Sequence, residues 1–259
     1  MGSDLEKYLD QVTIRSVEDI RCAAEAVRDF AALFGLRAAL CSDVSEKQAM
    51  TDSEGNILAA SVYGWSGSND EPWWAKRCTG LVSPLARACR YEAQPFWANA
   101  RGFHGPMENP YFSAIDVSEW FDVNTIGRSA IVVPIHLPFA QVSANSFHPL
   151  DKHQDDLAGI FAQIGGTLGA ITHRFISGYV AAMRRKRRIP PGCALSKREV
   201  ECLRLAAIGK TDREIGMILN LSHPAVRYHL QRAGGKLVSV TRGQTIFKAA
   251  QLGFLGANS

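Results

Sequence analysis

TDREIGMILNLSHPAVRYHLQRAGGKL, residues 211–237, holds two short apolar periodicities that break at Asn220, Leu221 and Ser222. Thr211 stands three residues before Glu214, so a hydroxyl and a carboxylate can satisfy the free N–H groups of one helix start reciprocally. Ser222 offers a simpler cap to the second helix, with Pro224 where a first-turn proline is tolerated. Working outward, Ser196 with Glu199 and Thr241 with Gln244 repeat the capping spacing. The segment therefore reads as four helices, at about 197–208, 212–219, 223–236 and 242–253. Val200, Leu203, Leu205, Ala206, Ile215, Ile218, Leu219, Val226, Leu230, Ala233 and Leu237 are expected to supply one small core.

The outward positions of the third helix are His223, Arg227, Tyr228, Gln231 and Arg232. Any surface helix has a polar face, so the pair of helices is either a structural hairpin or a helix-turn-helix with its second helix in a DNA groove. Arg227 and Gln231, four apart on one face, can both make bidentate hydrogen bonds to base edges. Lys210, Tyr228, Arg232 and Lys236 are placed for phosphates. His229 reads as a packing or capping residue.

Charge separates this segment from the rest. From residue 184 to the end there are 15 Lys/Arg against 4 Asp/Glu, a net +11, whereas the residues before it carry −7 of the chain's +4. A basic module attached to an acidic partner is the footprint of nucleic-acid binding. RRKRRIPPGCALS, from residue 184, places five basic residues before two prolines and a glycine, which cannot continue a helix and has nothing to bury. The expected division is a sensor domain at 1–178, a basic Pro/Gly linker at 179–194 and a helical domain at 195–259.

Residues 195–255 resemble the DNA-binding domain of LuxR-type transcription regulators at Leu195, Ser196, Arg198, Glu199, Leu203, Gly209, Glu214, Ile215, Leu219, Val226, His229, Lys236, Leu237, Arg242 and Gln244. Gly216 and Ala225 depart from the usual alanine and threonine. The resemblance implies a homodimer on a pseudo-palindromic double-stranded DNA operator. It also implies that the fourth helix, with Ile246, Phe247, Ala250 and Leu252, helps pair two subunits; a plain core role for the same stripe is equally compatible with its pattern.

Upstream, SVEDIRCAAEAVRDFAALFGL from Ser16 has a 3.6 period closed by Gly35 and reads as an amphipathic helix. RAALCSDV (37–44), NILAASVYGW (56–65), SAIVVPIHLPF (129–139) and QVSANSFHPL (141–150) read as strands of a largely antiparallel sheet. A long closing helix runs from Leu157 to Met183 despite Gly165 and Gly166. The expected fold is an α/β sandwich sensor domain followed by an all-α four-helix helix-turn-helix domain.

WWAKRCTGLVSPLARACRYEAQPFWANA, residues 73–100, resembles the signature of the autoinducer-binding domain at Trp74, Pro84, Pro95, Phe96 and Trp97, and GRSAIVVPIHLPF resembles the family's Gly-x-x-x-Pro strand pair. The resemblance implies a small diffusible signal, an acyl-homoserine lactone or a variant, with Tyr63, Trp74, Ser83, Trp97 and Ser146 as ligand-contacting candidates. Ser83 stands where the family has an aspartate that accepts the lactone's amide N–H, which points to an altered ligand. Tryptophans here are equally able to fill core. The alternative is a regulator whose N-terminal domain is ligand-independent or answers to a protein partner.

No paired acids, nucleophile elbow or phosphate loop marks an enzyme, and no receiver-type acidic series is present. Six cysteines without C-x-x-C spacing or a histidine cluster read as buried thiols in a reducing cytoplasm, with no metal or cofactor. No apolar run reaches membrane-spanning length, and the N-terminus has no apolar signal core. The expectation is a cytoplasmic protein without a membrane partner.

Overall fold

The computed structural model describes residues 2–45, 49–65, 83–123, 127–183 and 194–255. The chain forms two compact units, divided between the helix that ends at Met183 and the helix that starts at Lys197.

The first unit is built on a five-stranded sheet in the order β1-β5-β4-β2-β3, with β1 Leu36–Ala39, β2 Phe96–Asn99, β3 Gly102–His104, β4 Ser129–Leu137 and β5 Gln141–Pro149. Every pairing is antiparallel. Strand period two splits the sheet into two apolar faces. On one, Leu36, Ala38, Ile131, Val133, Ile135 and Phe147 pack with α1 (Gly2–Gln11), α2 (Ile20–Ala32), α3 (Leu58–Ser61) and a 26-residue helix, Ala158–Met183. On the other, Phe96, Ala98, Ala130 and Val132 pack with α4 (Pro84–Ala88), the 112–114 turn and α5 (Ser118–Val123). We number the long helix α6. Both faces of β4 are buried, so it carries a nearly unbroken apolar run instead of an alternation. Pro134 lies past Val132, the last residue of β4 that β2 covers, where a residue without an N–H is tolerated. The 89–92 segment closes that edge, with His136 Nε2 2.9 Å from the Cys89 carbonyl.

α2 buries the apolar stripe expected of it, and in the short turn Val17–Asp19 that leads into it the Asp19 carboxylate accepts from the Ser16 N–H at 2.8 Å. α6 tolerates its glycines because some are contact points: a Cβ on Gly169 would sit 2.8 Å from the Pro95 ring. α6 also runs to Met183 with Tyr179, Val180 and Ala182 buried, so the first five residues of the expected linker are helical. The rest of that linker, including the basic run, lies outside the described residues apart from Ala194. Residues 56–65 are not a strand: Leu58–Ser61 is a helical turn, entered from Asp52, whose carboxylate accepts from the backbone N–H of Glu54 and Asn56. Of the four cysteines described, Cys41, Cys89 and Cys202 are buried, but Cys22 is exposed on the outer face of α2.

The β1–β5 ladder stops at Ala39, and side chains of β5 take over. Asn145 Oδ1 accepts from the Cys41 N–H at 3.3 Å, Ser143 Oγ donates to the Cys41 carbonyl at 2.6 Å, and Gln141 Nε2 donates to the Ser42 carbonyl at 2.7 Å. Asn145 Nδ2 also reaches the Val133 carbonyl and Ser143 Oγ. All three side chains are buried. Asn145→Ala is therefore expected to destabilise the first unit by about 2 kcal/mol, because it removes the buried hydrogen bonds that its amide makes with the Cys41 N–H and the Val133 carbonyl. A urea melt followed by tryptophan fluorescence checks this, and a loss below about 0.5 kcal/mol would show that the bridge is dispensable.

The second unit has, among its described residues, four helices: α7 Lys197–Ala207, α8 Asp212–Leu219, α9 His223–Lys236 and α10 Arg242–Gln251. All three expected capping boxes form, and Ser222 caps α9 through the Ala225 N–H. Cys202, Ala206, Ile215 and Val226 make one small cluster; Leu203, Ala233, Leu237 and Ala249 make a second. Ile218 is not core: with Met217 it points outward from α8.

Candidate functional site

α8 and α9 are joined by a tight turn. Asn220 closes α8 in the left-handed region, a conformation its short polar side chain tolerates. The N–H groups of Asn220 and Leu221 both bond to the Gly216 carbonyl. Val226, Ala233, Gly234 and Leu237 turn α9 inward, leaving Arg227, Tyr228, Gln231 and Arg232 exposed. Arg227 and Gln231 lie along a concavity whose other wall is Asp212 at the start of α8 and Val240, Thr241 and Arg242 at the start of α10. Arg242 is fixed there, donating to the Asp212 carboxylate and to the Lys210 carbonyl.

The cations of this surface divide into committed and available ones. Lys236 Nζ lies 2.7 Å from Glu199 Oε2 and 3.0 Å from the Ala194 carbonyl. The Glu199 side chain is 1% exposed and also accepts from the Ser196 N–H. Burial works to raise the Glu199 pKa, but the hydrogen bonds from Lys236 and Ser196 together with the lysine charge hold it below its ordinary value. A phosphate would have to compete with this buried carboxylate for Lys236, so the residue is better described as an internal tie. Arg232 is intermediate: it donates to the Tyr228 hydroxyl at 2.7 Å and lies 3.6 Å from Glu199. Lys210 is half-buried beside Glu214, at 3.9 Å. Sequence pattern marks Glu199 as a capping residue but carries no signal that Lys236, 37 positions later, meets it.

The ligand-contacting candidates in the first unit separate by face. Trp97 pairs with Ile131 and joins the core on the α6 side, stacked on His104 at 4.0 Å. Tyr63 lies in the same core; its buried hydroxyl has no hydrogen-bond partner among the described residues, and burial raises its pKa. Ser146 pairs with Val132 on the opposite face, the side of α4. Ser83 is buried at the start of α4, where its hydroxyl accepts from the Ala86 N–H at 3.4 Å and caps the helix. Trp74 lies outside the described residues. Sequence reading did not anticipate a polar cluster on the Ser146 face. The Arg37 guanidinium lies 3.6 Å over the Trp65 ring, Trp65 Nε1 donates to the Ala38 carbonyl, and His148 meets Trp65 edge-on. His148 Nε2 is 2.9 Å from Ser146 Oγ. Burial, with the nearby Arg37 charge, pulls the His148 pKa down to about 3, so the ring is neutral at physiological pH. These residues meet only through the β1–β5 pairing, which no local pattern encodes.

No group of His, Cys, Asp and Glu among the described residues could hold a metal ion, and none of their helices is long and apolar enough to cross a membrane.

Residues 193–247 match the family model described as bacterial regulatory proteins, luxR family. The chain is 30% identical over 132 residues to the transcriptional activator protein AhyR of Aeromonas hydrophila, covering 51% of this chain and 50% of AhyR. It is 44% identical over 61 residues to the quorum sensing-dependent regulator VjbR of Brucella ovis, covering 24% of each. The chain thus spans about half the length of AhyR and about a quarter of VjbR. The fold resembles that of Escherichia coli SdiA, with a TM-score of 0.52 at 16% identity over 98% of both chains. SdiA has also been solved in complex with octanoyl-rac-glycerol.

Proposed function

We propose, from a C-terminal unit that is a luxR-family helix-turn-helix domain, that the chain is a cytoplasmic, sequence-specific transcription regulator controlled by a small diffusible signal bound in its N-terminal unit. The observation that carries this reading is the exposed pair Arg227 and Gln231 on α9, held at the rim of a concavity by a helix whose other side is core. Arg227 and Gln231 read base edges in the major groove; Lys210, Tyr228 and Arg232 contact phosphates. Two copies pair and set their α9 helices on half-sites about 34 Å apart, one turn of DNA. Phe247, exposed on α10, suits such a pairing face. No catalytic step is assigned.

Arg227→Ala is expected to weaken binding to the preferred operator by about 1–3 kcal/mol and to relax one base position, since a bidentate contact is lost. Selection of binding sites from randomised duplexes checks this, and an unchanged consensus would remove Arg227 from the readers.

The signal occupies the Ser83 and Ser146 side of the sheet, where neutral His148 and the Arg37–Trp65 stack add polar groups to an apolar surface. The likeness of fold to SdiA, which binds octanoyl-rac-glycerol, supports an amphipathic ligand. Mass spectrometry of whatever co-purifies from native cells would name it. Added back at 100 times its Kd, the compound should stabilise the fold by about 2.7 kcal/mol. One observation favours a ligand-independent or protein-controlled N-terminal unit: the Ser83 hydroxyl is already used as a helix cap. In that case no small molecule shifts the melting temperature.

A further inference from the structure

We infer that His223 is a third base-reading residue, which takes a purine N7 about two base steps from the base read by Arg227; the inference rests on the DNA-binding reading above. His223 is the first residue of α9 and is exposed. His223, Arg227 and Gln231 follow one another at four-residue intervals, so their side chains form one continuous row along the helix. At 1.5 Å per residue the row advances about 6 Å from one member to the next, which is roughly two base steps of 3.4 Å. A helix-turn-helix presents the N-terminal residues of its second helix to the base edges, and His223 occupies that end.

The neighbouring row differs in kind. Tyr228 and Arg232 are hydrogen-bonded to each other, and Arg232 leans toward Glu199. The start of α9 is also held firmly. Ser222 caps it through the Ala225 N–H, and Pro224 fixes the first turn. The imidazole therefore projects from a backbone position that needs no reordering on binding. Imidazole offers an N–H donor at any protonation state, and purines present N7 as an acceptor in the major groove. The same geometry serves a phosphate oxygen, and the two outcomes differ in sequence dependence.

The experiment is selection of preferred sites from randomised duplex DNA by the full-length wild type, His223→Ala, His223→Asn and Arg227→Ala. Because His223 is exposed, thermal unfolding of its variants should match wild type. His223→Ala should flatten one column of the consensus, distinct from the column flattened by Arg227→Ala, and lower affinity for the preferred site about tenfold. His223→Asn should move that column toward adenine, which asparagine reads through N6 and N7. A consensus unchanged in every column, or an affinity loss equal for all sequences, overturns the assignment of His223 while leaving the DNA-binding reading in place. A wild type that enriches no sequence removes that reading instead, and this inference with it.

Discussion

Lys236→Met is expected to destabilise the second unit by about 3 kcal/mol at pH 7, because it strands the Glu199 carboxylate in the interior while keeping the length of the lysine stem. Arg232, 3.6 Å away, is too exposed and too distant to replace the 2.7 Å contact in full. Adding Glu199→Gln to Lys236→Met should recover part of the loss, since no buried charge then remains. Acid closes the gap as well. The folded-state pKa of Glu199 lies below its ordinary 4.5, so the pair's contribution is fully present above that value and is lost as the pH falls through the folded pKa. The wild type and Lys236→Met should therefore converge in stability as the pH drops below about 4.5. Urea melts across that range, read from α7 and α9 amides by hydrogen exchange, separate this unit from the other. Equal stability of the two proteins at pH 7 would show that the Lys236–Glu199 tie does not hold this unit together.

Gly216→Val should cost a comparable amount, about 3 kcal/mol, and abolish selective DNA binding. A Cβ at Gly216 would stand 2.7 Å from the Leu221 carbonyl oxygen, a backbone atom that cannot rotate away. Replacing a helical glycine by alanine ordinarily gains about 1 kcal/mol of helix propensity. Here the gain is outweighed because the turn joining α8 to α9 must open, and the Gly216 carbonyl already holds the Asn220 and Leu221 N–H groups. Valine adds two methyl groups and a restricted χ1 to the same crowding. The result to look for is loss of cooperative unfolding in this unit together with loss of the binding-site consensus. Operator binding retained within about threefold would mean that the turn relaxes cheaply.

Much of the second unit is legible in sequence because its determinants are local. Each capping hydroxyl and its partner stand three residues apart, and the helices they open show a 3.6 period. The errors fall where determinants are distant or short. Residues 56–65 look like a strand because small and β-branched residues cluster there, yet the contacts that hold them come from Asp52 and from the core around α2 and α6. β2 and β3 escape notice because four- and three-residue strands are too short to show alternation, and β2 is buried on both faces. The departure at Ser83 is visible at once, but its use as a helix cap is not, since Ala86 reveals that only in three dimensions. The tie of Lys236 to Glu199 and the place of His148 beside Ser146 are missed for the same reason: their partners are set by helix and strand packing.

The bridge from Gln141, Ser143 and Asn145 to residues 41 and 42 has a consequence for inheritance. A backbone ladder is indifferent to which side chains flank it, so ordinary point mutation seldom unpicks a strand. Here the attachment of residues 41 and 42 to the sheet is spelled residue by residue, with a backbone bond resuming from the Val44 N–H to the Val142 carbonyl, and a single codon change at Asn145 can loosen that border while the other strands stay paired. Such a border can drift in lineages faster than the fold that carries it, reshaping the rim of the sheet without redesigning its centre.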